Sequence, residues 1–135
     1  MSDAEIHQDK KNVLLSTSFV EEARIQELIS SCHIGLALYD NSVKNDRYTA
    51  FSSEKIALYL RSGVPIITFD NECYQSLFSE FKCGVPLKSI KGLSSAVQEI
   101  MSNYAAYQEQ CLQAYEKYYN LEVTIPRIIN SIWER

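Results

Sequence analysis

The chain has 135 residues, 46% hydrophobic and 22% charged, which is enough for one domain with a true core and too apolar for a disordered segment. A formal net charge of −4, with no dense block of lysine or arginine, argues against a general nucleic-acid binder. No apolar run approaches the roughly 18 residues of a membrane span, and the Met1–Glu5 start lacks signal-peptide features, so a cytoplasmic protein without a transmembrane segment is expected.

Residues 1–11 are polar and aperiodic and read as a flexible leader, with the folded domain spanning 12–135. Val13–Leu15 is a short apolar run, too short for a helix, and reads as a buried strand. From Val20 to Ser31, residues Val20, Ala23, Ile25, Leu28 and Ile29 fall on one helical face. Ile34–Tyr39 is a near-continuous apolar run, the pattern of a strand covered on both faces in a parallel sheet. A polar, turn-forming loop over 40–47 follows its carboxyl end. Ser52 or Ser53 can then cap a helix to about Arg61, with Gly63 where a helix stops.

Val64–Phe69 is the third apolar run, its proline near the start, where a missing N–H is tolerated. Asp70 or Asn71 can cap a helix through Phe81, and Cys83–Pro86 can make a last short strand. Beyond Gly92 the pattern is helical, with three stripes. Leu93, Val97, Ile100 and Met101 form one, and Tyr104, Tyr107, Cys111, Tyr115 and Tyr118 a second. Ile125, Ile128, Ile129 and Ile132 form the third. The tyrosine row reads as a packed helix face rather than a stacking platform. Strands alternating with helices predict an α/β fold: a Rossmann-like parallel sheet with helices on both faces and a helical C-terminal tail.

Cys32, Cys73, Cys83 and Cys111 form no CxxC pair, and neither His7 nor His33 stands at zinc-ligand spacing from them. Free, buried thiols in a reducing compartment are expected, with no metal site. His33 lies at the wrong end of the sheet for a general base, so no catalytic residue can be named. The sequence also lacks GxGxxG, P-loop, HExxH and GxSxG motifs.

In an open parallel sheet, ligands bind at the carboxyl ends of the strands, near helix N-termini. The loop after Tyr39 and the helix start at Ser52–Lys55 occupy such a place. Unpaired N–H groups, about half a unit of positive charge, two serine hydroxyls and Lys55 together suit a phosphate. The plainer reading is a serine N-cap with a surface lysine. Glu54 fits there as a complement to the helix dipole.

Ser52-Ser53-Glu54-Lys55-Ile56-Ala57-Leu58-Tyr59-Leu60-Arg61-Ser62-Gly63-Val64-Pro65-Ile66-Ile67 resembles the nucleotide-sugar-binding segment of GT-B glycosyltransferases of the family 1/4 type, S-x-x-K-[LI]-x-x-Y-[LM]-x-x-G-x-P-[VI]-I. The run from Ser31 to Tyr39 is similar to the preceding family strand, "ADIGLALY", and Leu77 to Leu87 to the "ELVEEYGCGLLV" stretch. The likeness covers residues 12–130. It implies the later part of a C-terminal donor-binding domain, a nucleotide-diphosphate sugar as donor substrate and no cofactor. Ser52, Ser53 and Lys55 would hold the diphosphate, while Gly63 and Pro65 shape the turn into the next strand.

Two departures stand out. Leu58 and Ala50 occupy the positions where many relatives carry the carboxylates of an E-x7-E pair. The acceptor domain and the opening strands of the donor domain also have no counterpart. In a 3-2-1-4-5-6 sheet the third strand lies at the edge, so Val13–Leu15 lacks its parent neighbours. The isolated chain is therefore expected to catalyse no transfer, with a missing N-terminal domain as partner. The alternatives are a catalytically inactive α/β interaction or nucleotide-binding module, and a flavodoxin-like binding domain.

Overall fold

A computed structural model describes residues 7–10, 13–15 and 18–133; for 7–10, 14 and 15 it describes the backbone alone. Strand β1 (His7–Lys10) pairs antiparallel with β2 (Val13–Leu15), with His7 opposite Leu15 and Lys10 opposite Val13. This corrects the sequence reading twice. His7–Lys10 is strand rather than leader, and Val13–Leu15 forms a separate two-stranded sheet instead of joining the parallel one. A strand needs partners for its N–H and C=O groups, and pairing with the segment just before it costs little loop closure. The rest of the leader, residues 1–6 and 11, lies outside the described residues.

Helix α1 (Glu22–Ser30) follows, with Ile25 and Ile29 half-buried and Leu28 exposed. The main sheet has three strands, β3 (Gly35–Ala37), β4 (Ile66–Phe69) and β5 (Gly84–Leu87), in that spatial order. Both ladders are parallel, with Leu36 beside Ile67 and Ile67 beside Val85. Successive residues of a strand point to opposite faces, and in β4 both faces are covered: Ile66 and Ile67 are fully buried.

The chain passes from β3 to β4 through a 3-10 turn (Asp46–Tyr48), α2 (Thr49–Ser52) and α3 (Glu54–Arg61). Helix α4 (Glu72–Glu80) links β4 to β5. Ala37 and Ile66 pack with Ala50 of α2, Ile56 and Leu60 of α3, and Tyr74 and Leu77 of α4. On the other face, Ile67 and Leu87 pack with Ala96 and Ile100 of α5 (Leu93–Ser102) and Tyr107 of α6 (Tyr104–Tyr118). The fold is thus α/β, a parallel sheet flanked by helices with a helical C-terminal tail.

Gly63 ends α3 as the sequence suggests. Its φ is 66°, its N–H donates to the Leu60 carbonyl at 3.0 Å, and the Val64 N–H reaches the Tyr59 carbonyl at 2.9 Å. That double closure requires a left-handed residue, which only glycine adopts without strain. Gly35 serves a different need: a Cβ there would lie 2.6 Å from the Tyr59 ring, so its absence lets α3 lie directly on β3.

The tail departs from its stripes in part. In α5 the buried row is Ala96 and Ile100, while Val97 and Met101 are exposed. In α6 the tyrosine face packs as expected, with Tyr107, Cys111 and Ala114 buried. Its outer member Tyr118 is exposed and stands edge-on to Phe51 and Phe81. In α7 (Leu121–Trp133) the isoleucine stripe is exposed along its whole length.

Candidate functional site

The carboxyl end of the sheet is built from the loops after β3 and β4, which side-chain amides tie together. Asn41 donates to the Asp70 carbonyl at 2.9 Å, and Asn71 donates to Asn41 Oδ1 at 3.0 Å. Asp40 accepts the Ser42 N–H at 2.8 Å, and this bond holds its carboxyl below the usual range. Deeper in, Thr49 Oγ1 donates its single hydrogen to the Asp46 carbonyl at 2.8 Å, so Tyr74 Oη must donate to Thr49 across 2.9 Å. Burial pushes the Tyr74 hydroxyl up to about 12.

Against this frame stands the start of α3. Ser53 is its N-cap residue, extended at φ −86° and ψ 122°, yet its hydroxyl caps no backbone N–H. It lies instead 2.8 Å from Tyr39 Oη, at the end of the β3 run. Lys55 Nζ sits over the same tyrosine ring, 4.6 Å from its centroid. Tyr39 thus gathers Ser53 and Lys55 at one helix start, while the first-turn N–H groups have no side-chain cap. Ser52 is set apart: it closes α2, and its hydroxyl donates back to the Tyr48 carbonyl at 2.9 Å.

The structure therefore brings together two of the three sequence-predicted residues and adds Tyr39. The signal for Tyr39 was its place as the last apolar residue before the polar loop. Its contact with Ser53 is a matter of tertiary geometry that spacing does not encode.

Beside this start, a cleft of about 420 Å³ runs along α3, lined by Glu54, Ala57, Leu58 and Arg61 opposite Tyr115 and Tyr119. Leu58 faces the cleft half-buried, so a longer polar side chain there would reach it. Ala50 is wholly enclosed, and its carbonyl accepts the Tyr119 hydroxyl. A carboxylate at position 50 would have no room and no solvent. Burial also raises Tyr119 well above the ordinary phenol value.

His33 is exposed at the opposite end of β3, with its ring 5.9 Å from that of Tyr104. All four cysteines are free. Cys83 and Cys111 are buried, Cys73 is partly so, and Cys32 is exposed, which corrects the expectation of burial for that residue. Burial pushes the Cys83 thiol up to about 12, so it is no nucleophile near neutrality. No group of three or more His, Cys, Asp or Glu residues that could hold a metal ion occurs among the described residues. Nor is any helix among them long and apolar enough to cross a membrane.

The family described as "Glucosyltransferase 3-like, C-terminal domain" matches residues 2–122. The chain belongs to that family. It is a glycosyltransferase C-terminal domain, and the match takes in the whole α3 start and its cleft. No curated protein and no solved structure matches the chain.

Proposed function

We propose that this domain binds the nucleotide-sugar donor of a glycosyltransferase of the GT-B type, gripping the diphosphate at the start of α3. The observation that carries the reading is Ser53: its hydroxyl is held by Tyr39, so the first turn of α3 stays open beside Lys55. Open N–H groups and the helix dipole suit a diphosphate, and Lys55 adds a full charge. During transfer the bond between the anomeric carbon and the diphosphate oxygen breaks, and the leaving group carries away the electron pair. Donors fixed around that growing negative charge lower the barrier. Ser53 and Lys55 are the principal ligands, with Ser52 at the rim, and a separate N-terminal domain holds the acceptor. Four free cysteines support a cytoplasmic setting.

The test is calorimetric titration of UDP and GDP into the wild type and Lys55→Ala, repeated in the full-length parent enzyme. Loss of a charge-assisted contact, worth about 1.5–3 kcal/mol, weakens binding roughly 10-fold or more. An unchanged affinity in the parent enzyme ends the proposal.

A second reading, a module that keeps the fold without the chemistry, is favoured by one observation: Ala50 is buried and Leu58 is apolar at the positions where many members of the resembled GT-B family carry carboxylates. Leu58→Glu separates the two. In a donor site it leaves phosphate binding intact and adds a contact to the sugar or ribose. In an inactive module it changes no nucleotide affinity.

A further inference from the structure

The serine and threonine hydroxyls at the junction of α2 and α3 are all engaged away from the first turn of α3. Thr49 bonds the Asp46 carbonyl and Tyr74, Ser52 donates to the Tyr48 carbonyl, and Ser53 lies 2.8 Å from Tyr39 Oη. Of the three, only Ser53 holds the N-cap position of α3, and its backbone is extended, as a capping residue requires. Before α4, Asn71 has the same position and is also extended, and its side chain does accept a first-turn N–H, that of Tyr74. The difference at α3 is the phenol. Tyr39 is fixed there: its N–H donates to the Ala37 carbonyl at 3.1 Å, and its ring packs on the core that holds Ala37 and Ala50. A serine hydroxyl turns about one bond, and the rotamer that meets this fixed phenol reaches no first-turn N–H.

We infer that Tyr39 is a positioning residue, which keeps the start of α3 open by holding the Ser53 hydroxyl off it. The inference rests on the donor-site reading for the identity of the ligand, and Tyr39 acts on that ligand through Ser53. Without the phenol oxygen, Ser53 turns onto the N–H of Lys55 or Ile56, and α3 closes as α4 does. A serine cap favours the closed form roughly 5-fold. The open fraction then falls to about one-sixth, and nucleotide affinity falls in proportion. Tyr39→Phe isolates this effect, because it removes the hydroxyl and keeps the ring beneath Lys55 Nζ.

The test joins amide hydrogen exchange on the 15N-labelled 135-residue chain to titration of UDP and GDP into the full-length parent enzyme. Tyr39→Phe slows exchange at Lys55 or Ile56 about 6-fold and weakens nucleotide binding about 6-fold. On a Ser53→Ala background the same substitution changes neither, because no hydroxyl remains to form the cap. A tyrosine needed only for packing would cost the same on both backgrounds. Unchanged exchange at the α3 start of Tyr39→Phe, in a chain that keeps its thermal transition, overturns the inference. So does slower exchange with undiminished affinity, or a loss of affinity that persists in full on Ser53→Ala. A parent enzyme that binds neither nucleotide ends the donor-site reading instead, and the exchange measurement then decides by itself whether Tyr39 holds the start open.

Discussion

Helices α3 and α4 both start at the carboxyl end of the sheet, and each is preceded by a residue suited to capping, Ser53 and Asn71. Their first turns are completed differently. Asn71 Oδ1 accepts the Tyr74 N–H at 3.1 Å, so α4 is capped and its start is internally satisfied. Ser53 turns its hydroxyl to Tyr39, and α3 is left without a side-chain cap, with Lys55 alongside. Neighbours, not the capping residue itself, decide whether a helix start is closed by a side chain or left without a side-chain cap.

Breaking the α4 side should cost stability most. Tyr74 is 1% exposed and joins α4 to the start of α2 through Thr49, so Tyr74→Ala should lower stability by about 3–5 kcal/mol in urea unfolding. A loss below about 1 kcal/mol would mean that the Tyr74–Thr49 junction does not anchor α4.

Alkaline titration probes the same buried groups. Tyr74 ionises near 12 in the folded chain against 10.0 ordinarily, and Cys83 near 12 against 9.0. The unfolded chain releases these protons first. Between the two sets of values it binds fewer protons than the native state, so stability falls as pH rises. Stability should be insensitive to these groups from pH 7 to about 8.5 and decline steadily above, with Tyr74→Phe removing part of the slope beyond pH 10.

A paired substitution sharpens the contrast with smaller effects. Asn71→Ala removes a cap that forms its bond and should cost about 1 kcal/mol. Ser53→Ala uncaps no N–H and breaks only the part-buried bond to Tyr39, so its cost should stay at the low end for a single hydrogen bond, about 0.5 kcal/mol. Equal costs at the two positions would contradict the distinction between them.

Much of the frame was legible in the sequence. Val64–Phe69 is apolar without alternation, and β4 inside it is covered on both faces, whereas β3 falls inside Ile34–Tyr39 but leaves Leu36 47% exposed, so the expected cover on both faces fails at that edge strand. Gly63 marked the end of α3 because a left-handed closure has few other solutions. The partner of Val13–Leu15 was not legible, since a three-residue apolar run says that it pairs but not with what. In α5 the small Ala96 displaced Val97 from the buried row because close helix–sheet packing favours small side chains there. The exposure of α7 was hidden for another reason: an apolar stripe says that a face needs cover, not that this chain provides it. The helix start that carries Ser53 and Lys55 was readable from the sequence. Tyr39 was not, because it reaches Ser53 only once β3 and α3 are packed together.

The most direct test of the central claim is amide chemical-shift mapping of the 15N-labelled protein during titration with UDP and, separately, GDP. An open α3 start predicts saturable shifts at the amides of Glu54, Lys55 and Ile56, with little change at Glu72, Cys73 and Tyr74 of the capped helix. Shifts confined to the α4 start, or none at α3 while nucleotide binds, would contradict the account.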